Sequence, residues 1–276
     1  MSRSIHLAIA STSSLPGEVT RNLDQIAGFA WLAARDGADL LLTPELSASG
    51  YGNYPEVLAT AEIAGQGPIS QRALTISADT GVVIGIGFAE QGTNGLHISH
   101  FFAFPNGRFV VQRKNRPMRH EAPFVRAKGP TAVQPFLVHG VRCGTLICAD
   151  AGLRKRNALL RAAEVELALL PAGAGGKRVN RVTTQELATQ KGRANYSSAL
   201  QELFWPGWCI DECLVNRRAH AMVNLVGHDG RDHYHSGHGA IINSFGEVVA
   251  FFPGQPNLDR QRPTYTHNVV EIPVIS

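Results

Sequence analysis

The chain has 276 residues, 44% of them hydrophobic and 17% charged, enough for a sizeable core and too apolar for a disordered chain. Its net charge of +4 and sequence pI near 9.0 suit small anionic substrates, but no Lys/Arg run is long enough to argue for nucleic acid. No apolar stretch reaches the roughly 18 residues of a membrane helix, and strand-like sequence begins too early, at Ser4, for a signal peptide. Cys143, Cys148, Cys209 and Cys213 do not make a disulfide framework in a chain this long, so reduced thiols in a cytoplasm are expected.

Ser4–Ala10 reads as a strand. Val19–Arg35 carries Leu23, Ile26, Ala30 and Ala34 at helical spacing, and Gly37 ends it. Asp39–Thr43 is apolar in its middle and reads as a strand buried on both faces, stopping at Pro44-Glu45. After a loop over Leu46–Pro55, helices are expected at Glu56–Ala64 and Ile69–Asp79. Val82–Phe88, His97–Phe104 and Phe109–Gln112 read as strands, the last two joined by a turn at Pro105-Asn106-Gly107. The opening strand–helix–strand reads as a crossover unit.

Leu146-Ile147 forms the apolar end of another strand, and Cys148 sits where it gives way to Ala149-Asp150-Ala151-Gly152. A helix over Leu153–Ala163 and a strand over Leu167–Leu170 follow. Gly173–Gly176 reads as loop, Gln185–Leu203 as one or two polar helices, and Leu214–Ala219 as the end of a helix. Strands at Ala221–Gly227, Gly239–Asn243, Val248–Phe252 and Val269–Val274 complete the chain, with Ser244-Phe245-Gly246-Glu247 a hairpin turn. No linker divides the chain and no repeat of fixed length recurs. One α/β domain over 1–276 is expected, with a mixed sheet or two sheets covered by helices.

Three reactive side chains follow strands: Glu45, Lys114 and Cys148. Strand carboxyl ends are where open α/β sheets place ligands. Each has a plain alternative: a loop or capping residue for Glu45, a solvated basic stretch for Lys114, a small buried hydrophobe for Cys148. Together they make chemical sense. A cysteine attacks as thiolate, a glutamate can take its proton and pass it to a leaving amine, and an ammonium can stabilise the oxyanion.

The sequence resembles the nitrilase, or carbon–nitrogen hydrolase, superfamily over most of its length. Gly37-Ala38-Asp39-Leu40-Leu41-Leu42-Thr43-Pro44-Glu45-Leu46, running on to Ser49-Gly50-Tyr51, is similar to that family's glutamate motif. Arg113-Lys114 is similar to its lysine motif, although Asn115-Arg116-Pro117 follows where a histidine and leucine are common. Gly144-Thr145-Leu146-Ile147-Cys148-Ala149-Asp150 is similar to its cysteine motif, and Gly239–Ala250 to its closing hairpin. After Cys148, Ala149 stands where many members carry an aromatic residue, and Gly152-Leu153-Arg154-Lys155 replaces an arginine-phenylalanine-proline run.

The resemblance implies a four-layer αββα sandwich, with Glu45 as general base, Lys114 as oxyanion stabiliser and Cys148 as nucleophile. It also implies a second glutamate between lysine and cysteine. Glu121 is the only acidic residue there, with an exposed loop carboxylate as the competing reading. The backbone N–H of Ala149 would add to the oxyanion site, and Tyr51, Asn180, Trp205 and Trp208 are candidates to line a pocket. Members usually pair, so a homodimer or larger assembly is expected. The expected function is hydrolysis of a non-peptide amide or carbamoyl bond through a thioester. A nitrile substrate, or a binding protein without turnover, are the alternatives. His228, His233, His235 and His238, with Cys209 and Cys213 upstream, raise metal binding. The Cys209-x-x-x-Cys213 spacing fits a helix face equally well, and a loop of solvated histidines near the pocket mouth is the reading preferred. No metal, cofactor, nucleic acid or membrane partner is called for.

Overall fold

In the computed structural model, which describes residues 3–125, 132–153, 155–177, 183–192, 213–230, 233–255, 257 and 260–273, period-two alternation builds two six-stranded sheets. The chain runs through β1 (Arg3–Ser11), α1 (Val19–Arg35), β2 (Leu40–Leu42), α2 (Pro55–Leu58), α3 (Pro68–Thr80), β3 (Val83–Gly92), β4 (Gly95–Ala103) and β5 (Phe109–Arg113). A short helix α4 (Ala122–Val125) leads to β6 (Phe136–Val138), β7 (Val141–Thr145), α5 (Arg156–Ala162), β8 (Leu167–Ala172), β9 (Gly175–Lys177) and α6 (Thr184–Leu187). Then come β10 (Ala219–Asn224), β11 (Val226–His228), β12 (His233–Ser236), β13 (Gly239–Ile242), β14 (Val248–Phe252) and β15 (Thr264–Ile272).

The first sheet has the order β15-β1-β2-β3-β4-β5 and the second β6-β7-β8-β10-β13-β14. Taken in those directions, both show one antiparallel pairing, then two parallel, then two antiparallel. The sequence shows no such repeat, because pairing direction is a property of topology and not of residue identity. A third, small sheet of β11, β12 and β9 lies beside them.

Alternate residues of each strand face opposite layers. Ile5, Leu7 and Ile9 of β1 and Leu40 and Leu42 of β2 meet Leu167 and Leu169 of β8 and Ile241 of β13 in the core between the sheets. Their neighbours Ala8, Ala10 and Leu41 turn outward onto α1 and α3, through Leu23, Ile26, Ile69 and Ala73. On the second sheet Ala168, Leu170, Met222 and Ile242 face outward with Leu160 of α5. The result is the expected αββα layering, helices outside and two sheets within.

Several expected boundaries move. The helix expected over Glu56–Ala64 ends at Leu58, because Glu62 has other work. Its carboxylate accepts the N–H groups of Ile69 and Ser70, both at 2.8 Å, and so caps the start of α3. Gly175 and Gly176, read as loop, belong to β9, paired with β12 through Gly175–His235 and Gly176–Tyr234. The helix expected to run to Ala219 covers 213–216, and Ala219 opens β10 instead, held by its ladder to Leu167. The helix expected from Leu153 starts at Arg156, and the last strand starts at Thr264, earlier than expected, because β1 pairs with it along its whole length. The expected helical stretch 193–203, with Asn180, Trp205, Trp208 and Cys209, lies outside the described residues. Among the described residues no helix is long and apolar enough to cross a membrane.

Gly87 of β3 lets a loop pass over the sheet. A Cβ there would lie 2.1 Å from Leu46 N and 2.7 Å from Glu45 C. Gly87→Ala should therefore lower the unfolding free energy by about 1–3 kcal/mol. Chemical denaturation beside wild type checks this, and an unchanged midpoint would show that the loop lifts off without cost.

Candidate active site

The segment after β2 is strapped along β3 by side chains that the backbone of β3 needs. Thr43 Oγ1 donates to the Gly85 carbonyl at 2.8 Å. Ser47 Oγ accepts from Gly87 N–H, and Ser49 Oγ from Ala89 N–H, each at 2.9 Å. Leu46 takes a positive φ of 52° in the middle of this strap. Glu45 is thereby held in the interior with no solvent exposure. Its Oε2 accepts the N–H of Gly173, just beyond β8, at 3.0 Å.

Lys114 extends the β4–β5 ladder by one bond, its N–H donating to Ile98 O at 2.8 Å. Its buried ammonium donates to Glu45 Oε1 at 2.6 Å and to Glu121 Oε1 and Oε2 at 2.8 and 2.9 Å. Glu121 lies on a 3-10 turn, Arg119–Glu121, and is 2% exposed, which removes the reading of it as an exposed loop carboxylate. Its carboxylate also accepts Tyr51 OH at 2.9 Å and Met118 N–H at 2.6 Å. Tyr51, itself buried, reaches His120 Nε2 at 3.0 Å with the same hydroxyl.

Cys148 arrives from the other sheet. Three residues past β7 it takes φ +48°, a conformation L residues rarely adopt, and opens the 3-10 turn Cys148–Gly152. Asp150 pins that corner. Its buried carboxylate accepts the N–H groups of Asn115 at 3.0 Å, Arg116 at 2.7 Å and Ile147 at 3.2 Å. The Cys148 turn and the Lys114 segment are thus tied to one carboxylate. Strain of this kind persists only where surrounding bonds over-determine it. Cys148 packs with Leu46, Tyr51, Ile147 and Ala172 and is 9% exposed. A cleft of about 460 Å³ reaches it, lined also by Arg116, Met118, Ala149, Ala151, Gly152 and Arg156.

Burial sets the proton affinities. It pushes the Glu45 carboxyl up to about 7; Lys114 pulls the other way, Glu121 pushes further up, and a bond from the Cys148 thiol lowers it. Burial also raises the Cys148 thiol, and the Glu45 charge adds to that, against Lys114 and the Gly173 N–H. Burial opposes the Lys114 charge, yet Glu45, Cys148 and Glu121 outweigh it and hold the ammonium above the ordinary lysine range. The resting site therefore holds a neutral thiol, a fixed ammonium and a carboxylate that titrates near neutrality. Such a set places a proton acceptor and a fixed positive charge at one buried point.

Of the residues singled out in the sequence, Glu45, Tyr51, Lys114, Glu121 and Cys148 meet here, with Ala149 half-buried beside them. The histidines do not form the solvated loop expected. His235 lies on β12 and His238 just before β13, and both are buried; His228 and His233 are half-buried on β11 and β12 beside Asp229. Among the described residues no group of three or more His, Cys, Asp or Glu side chains could hold a metal ion. Sequence reasoning passed over Asp150 and Gly173. A signal existed for both: Asp150 closes the cysteine motif, and Gly173 follows a strand of the second sheet as Glu45 follows one of the first.

The chain belongs to the carbon–nitrogen hydrolase family, whose sequence profile matches residues 6–255. No curated protein matches it. Solved structures resemble it at low identity. One is a CN-hydrolase superfamily protein from Xanthomonas campestris with an arsenic adduct in its active site. It is 20% identical, covers 96% of this chain and 90% of its own, and has a TM-score of 0.72. Another is a mutant amidase from Nesterenkonia sp. AN1 in complex with butyramide, 19% identical, covering 98% of this chain and 91% of its own, with a TM-score of 0.74. A further mutant of that amidase shows Michael addition of acrylamide at the active-site cysteine, at 19% identity, 98% and 93% coverage and a TM-score of 0.73. These likenesses show a common fold.

Asp150→Ala should destabilise the protein by about 2–4 kcal/mol, because three backbone N–H groups lose a charged acceptor. Urea unfolding checks this, and a loss below about 0.5 kcal/mol would mean that water replaces the carboxylate freely.

Proposed function

We propose that the chain is an amidase-type hydrolase that cleaves a non-peptide amide or carbamoyl carbon–nitrogen bond through a thioester on Cys148. The observation that carries this is the meeting of Lys114 with Glu45 at 2.6 Å and with Glu121 at 2.8 Å inside the protein, with Cys148 buried against Tyr51 of the same cluster. A buried lysine and a titratable glutamate beside a thiol have little value for packing.

In this reading Glu45 takes the Cys148 proton as Sγ bonds to the carbonyl carbon. The carbonyl electron pair moves onto oxygen, which faces Lys114 Nζ and the Ala149 N–H. When the tetrahedral centre collapses, the carbon–nitrogen bond breaks. Glu45 returns its proton to nitrogen, and ammonia or an amine leaves. Glu45 then takes a proton from water, the hydroxide adds to the thioester, and the acid departs as sulfur regains its proton. Glu121 keeps Lys114 charged and in place, and Tyr51 holds Glu121. The butyramide complex and the acrylamide adduct of the Nesterenkonia amidase support a small amide as substrate. A nitrile would use the same three residues, and a fold retained for binding alone would use none.

Wild type should release ammonia from at least one small amide or carbamoyl compound, and Cys148→Ala should release none. Turnover retained in Cys148→Ala removes the nucleophile assignment. No ammonia from any amide, carbamoyl amino acid or nitrile in a broad panel favours the binding protein.

The pH profile follows from Glu45. The base must be unprotonated to accept the thiol proton, so kcat/KM should rise with pH and level off above about 7. Lys114, held above its ordinary range, adds no descending limb below about pH 10. An optimum on the acid side of pH 5 would contradict Glu45 as base.

A further inference from the structure

We propose that the cleft over Cys148 recognises substrates bearing a carboxylate, through the guanidinium of Arg116 with Arg156 beside it; this rests on the hydrolase reading above. Two arginines and Cys148 line the same cleft of about 460 Å³, and among the described residues that line it none is acidic. Its other walls are Met118, Ala149, Ala151 and Gly152, so the space between sulfur and guanidinium is small and apolar. A short carbon chain fits there, with the scissile bond at one end and an anion at the other.

Arg116 is built into the site. Its backbone N–H is fixed by Asp150 at 2.7 Å, two residues from the thiol, and its own position is two residues from Lys114. Asp150 is fully buried and accepts three backbone N–H bonds, so its charge serves the corner and does not line the cleft. The Arg116 side chain is exposed and has no carboxylate partner among the described residues. It lies over Gly152, where an added Cβ would meet its Nη1 at 4.0 Å. The guanidinium thus lies in van der Waals reach of Gly152, which lines the same cleft as Cys148. Arg156 opens α5 at the far edge, its Nη1 3.5 Å from Leu153 O.

The charge balance makes this placement necessary for an anion. Behind Cys148, two carboxylates surround one ammonium. That cluster does not draw a negative substrate inward, so the attraction must come from the cleft walls. Guanidinium suits the task, because its planar fork matches both oxygens of a carboxylate.

Two measurements test the proposal. The first compares alkylation of Cys148 by iodoacetate and by iodoacetamide, mapped by mass, and needs no turnover. The iodoacetate-to-iodoacetamide rate ratio should fall about tenfold in Arg116→Ala and further in Arg116→Glu, with Arg116→Lys between wild type and Arg116→Ala. The second compares ammonia release from butyramide and from succinamate, which carries a carboxylate where butyramide ends in methyl. Wild type should favour succinamate by about tenfold or more in kcat/KM, and Arg116→Ala should lose that preference through KM. Ratios within one variant cancel any loss of folded protein.

An alkylation ratio unchanged in Arg116→Ala, or butyramide turned over as well as succinamate, overturns the proposal. A protein that releases ammonia from neither amide nor any other compound of the broad panel, yet keeps the Arg116-dependent alkylation ratio, overturns the hydrolase reading and leaves the anion-binding cleft standing.

Discussion

One buried ammonium between two carboxylates governs this structure. Lys114 Nζ lies within 3 Å of Glu45 and Glu121, and all three are almost wholly removed from solvent. Charges placed so deep are tolerated only when each is paired and hydrogen-bonded. The donors are shared unevenly. Glu121 receives Lys114 on both oxygens together with Tyr51 OH and Met118 N–H, whereas Glu45 receives Lys114 and the Gly173 N–H. One carboxylate is thus committed to holding the lysine. The other has fewer donors and, with burial against its charge, titrates near neutrality.

That cluster exists only where the two sheets meet. Glu45 and Lys114 come from the carboxyl ends of strands in the first sheet, Cys148 and Gly173 from those of the second. Their register depends on the apolar layer between the sheets, where Phe102 of β4 packs on Phe136 of β6 with ring centroids 4.4 Å apart. Packing this dense transmits small shifts, so the inter-sheet core and the site are one mechanical unit. The bond from Gly173 to Glu45 joins the halves chemically, as do those from Asn115 and Arg116 to Asp150. A Cβ on Gly173 would sit 2.5 Å from the Tyr51 ring and 3.0 Å from Glu45 Oε2.

The departures from the family pattern after the cysteine have a physical consequence here. Ala149 and Gly152 are small, and the volume they leave is bounded by Arg116, Met118 and Arg156. The chain therefore presents a charged outer wall to the same sulfur that faces a buried, net acidic interior. In the proposed reading, chemistry is set by the low dielectric behind the sulfur and recognition by the exposed guanidinium in front of it.

The sequence by itself determined most of the strands and helices and singled out the three residues that meet. Continuous apolar runs and helical spacing placed β1, α1, β2, α3 and the strands from β3 to β5, because burial leaves a local pattern that needs no partner to be visible. The same holds for Glu45, Lys114 and Cys148, each of which follows a strand in a recognisable motif. Only the tertiary structure decided the rest. That Glu121 is buried, that Asp150 binds two distant backbones and that Gly175 and Gly176 pair with β12 are contacts over long sequence separations. So too are the burial of His235 and His238 and the closeness of Arg116 to Cys148. Such contacts carry no local period: the partner that fixes each residue's environment is chosen when the sheets pack.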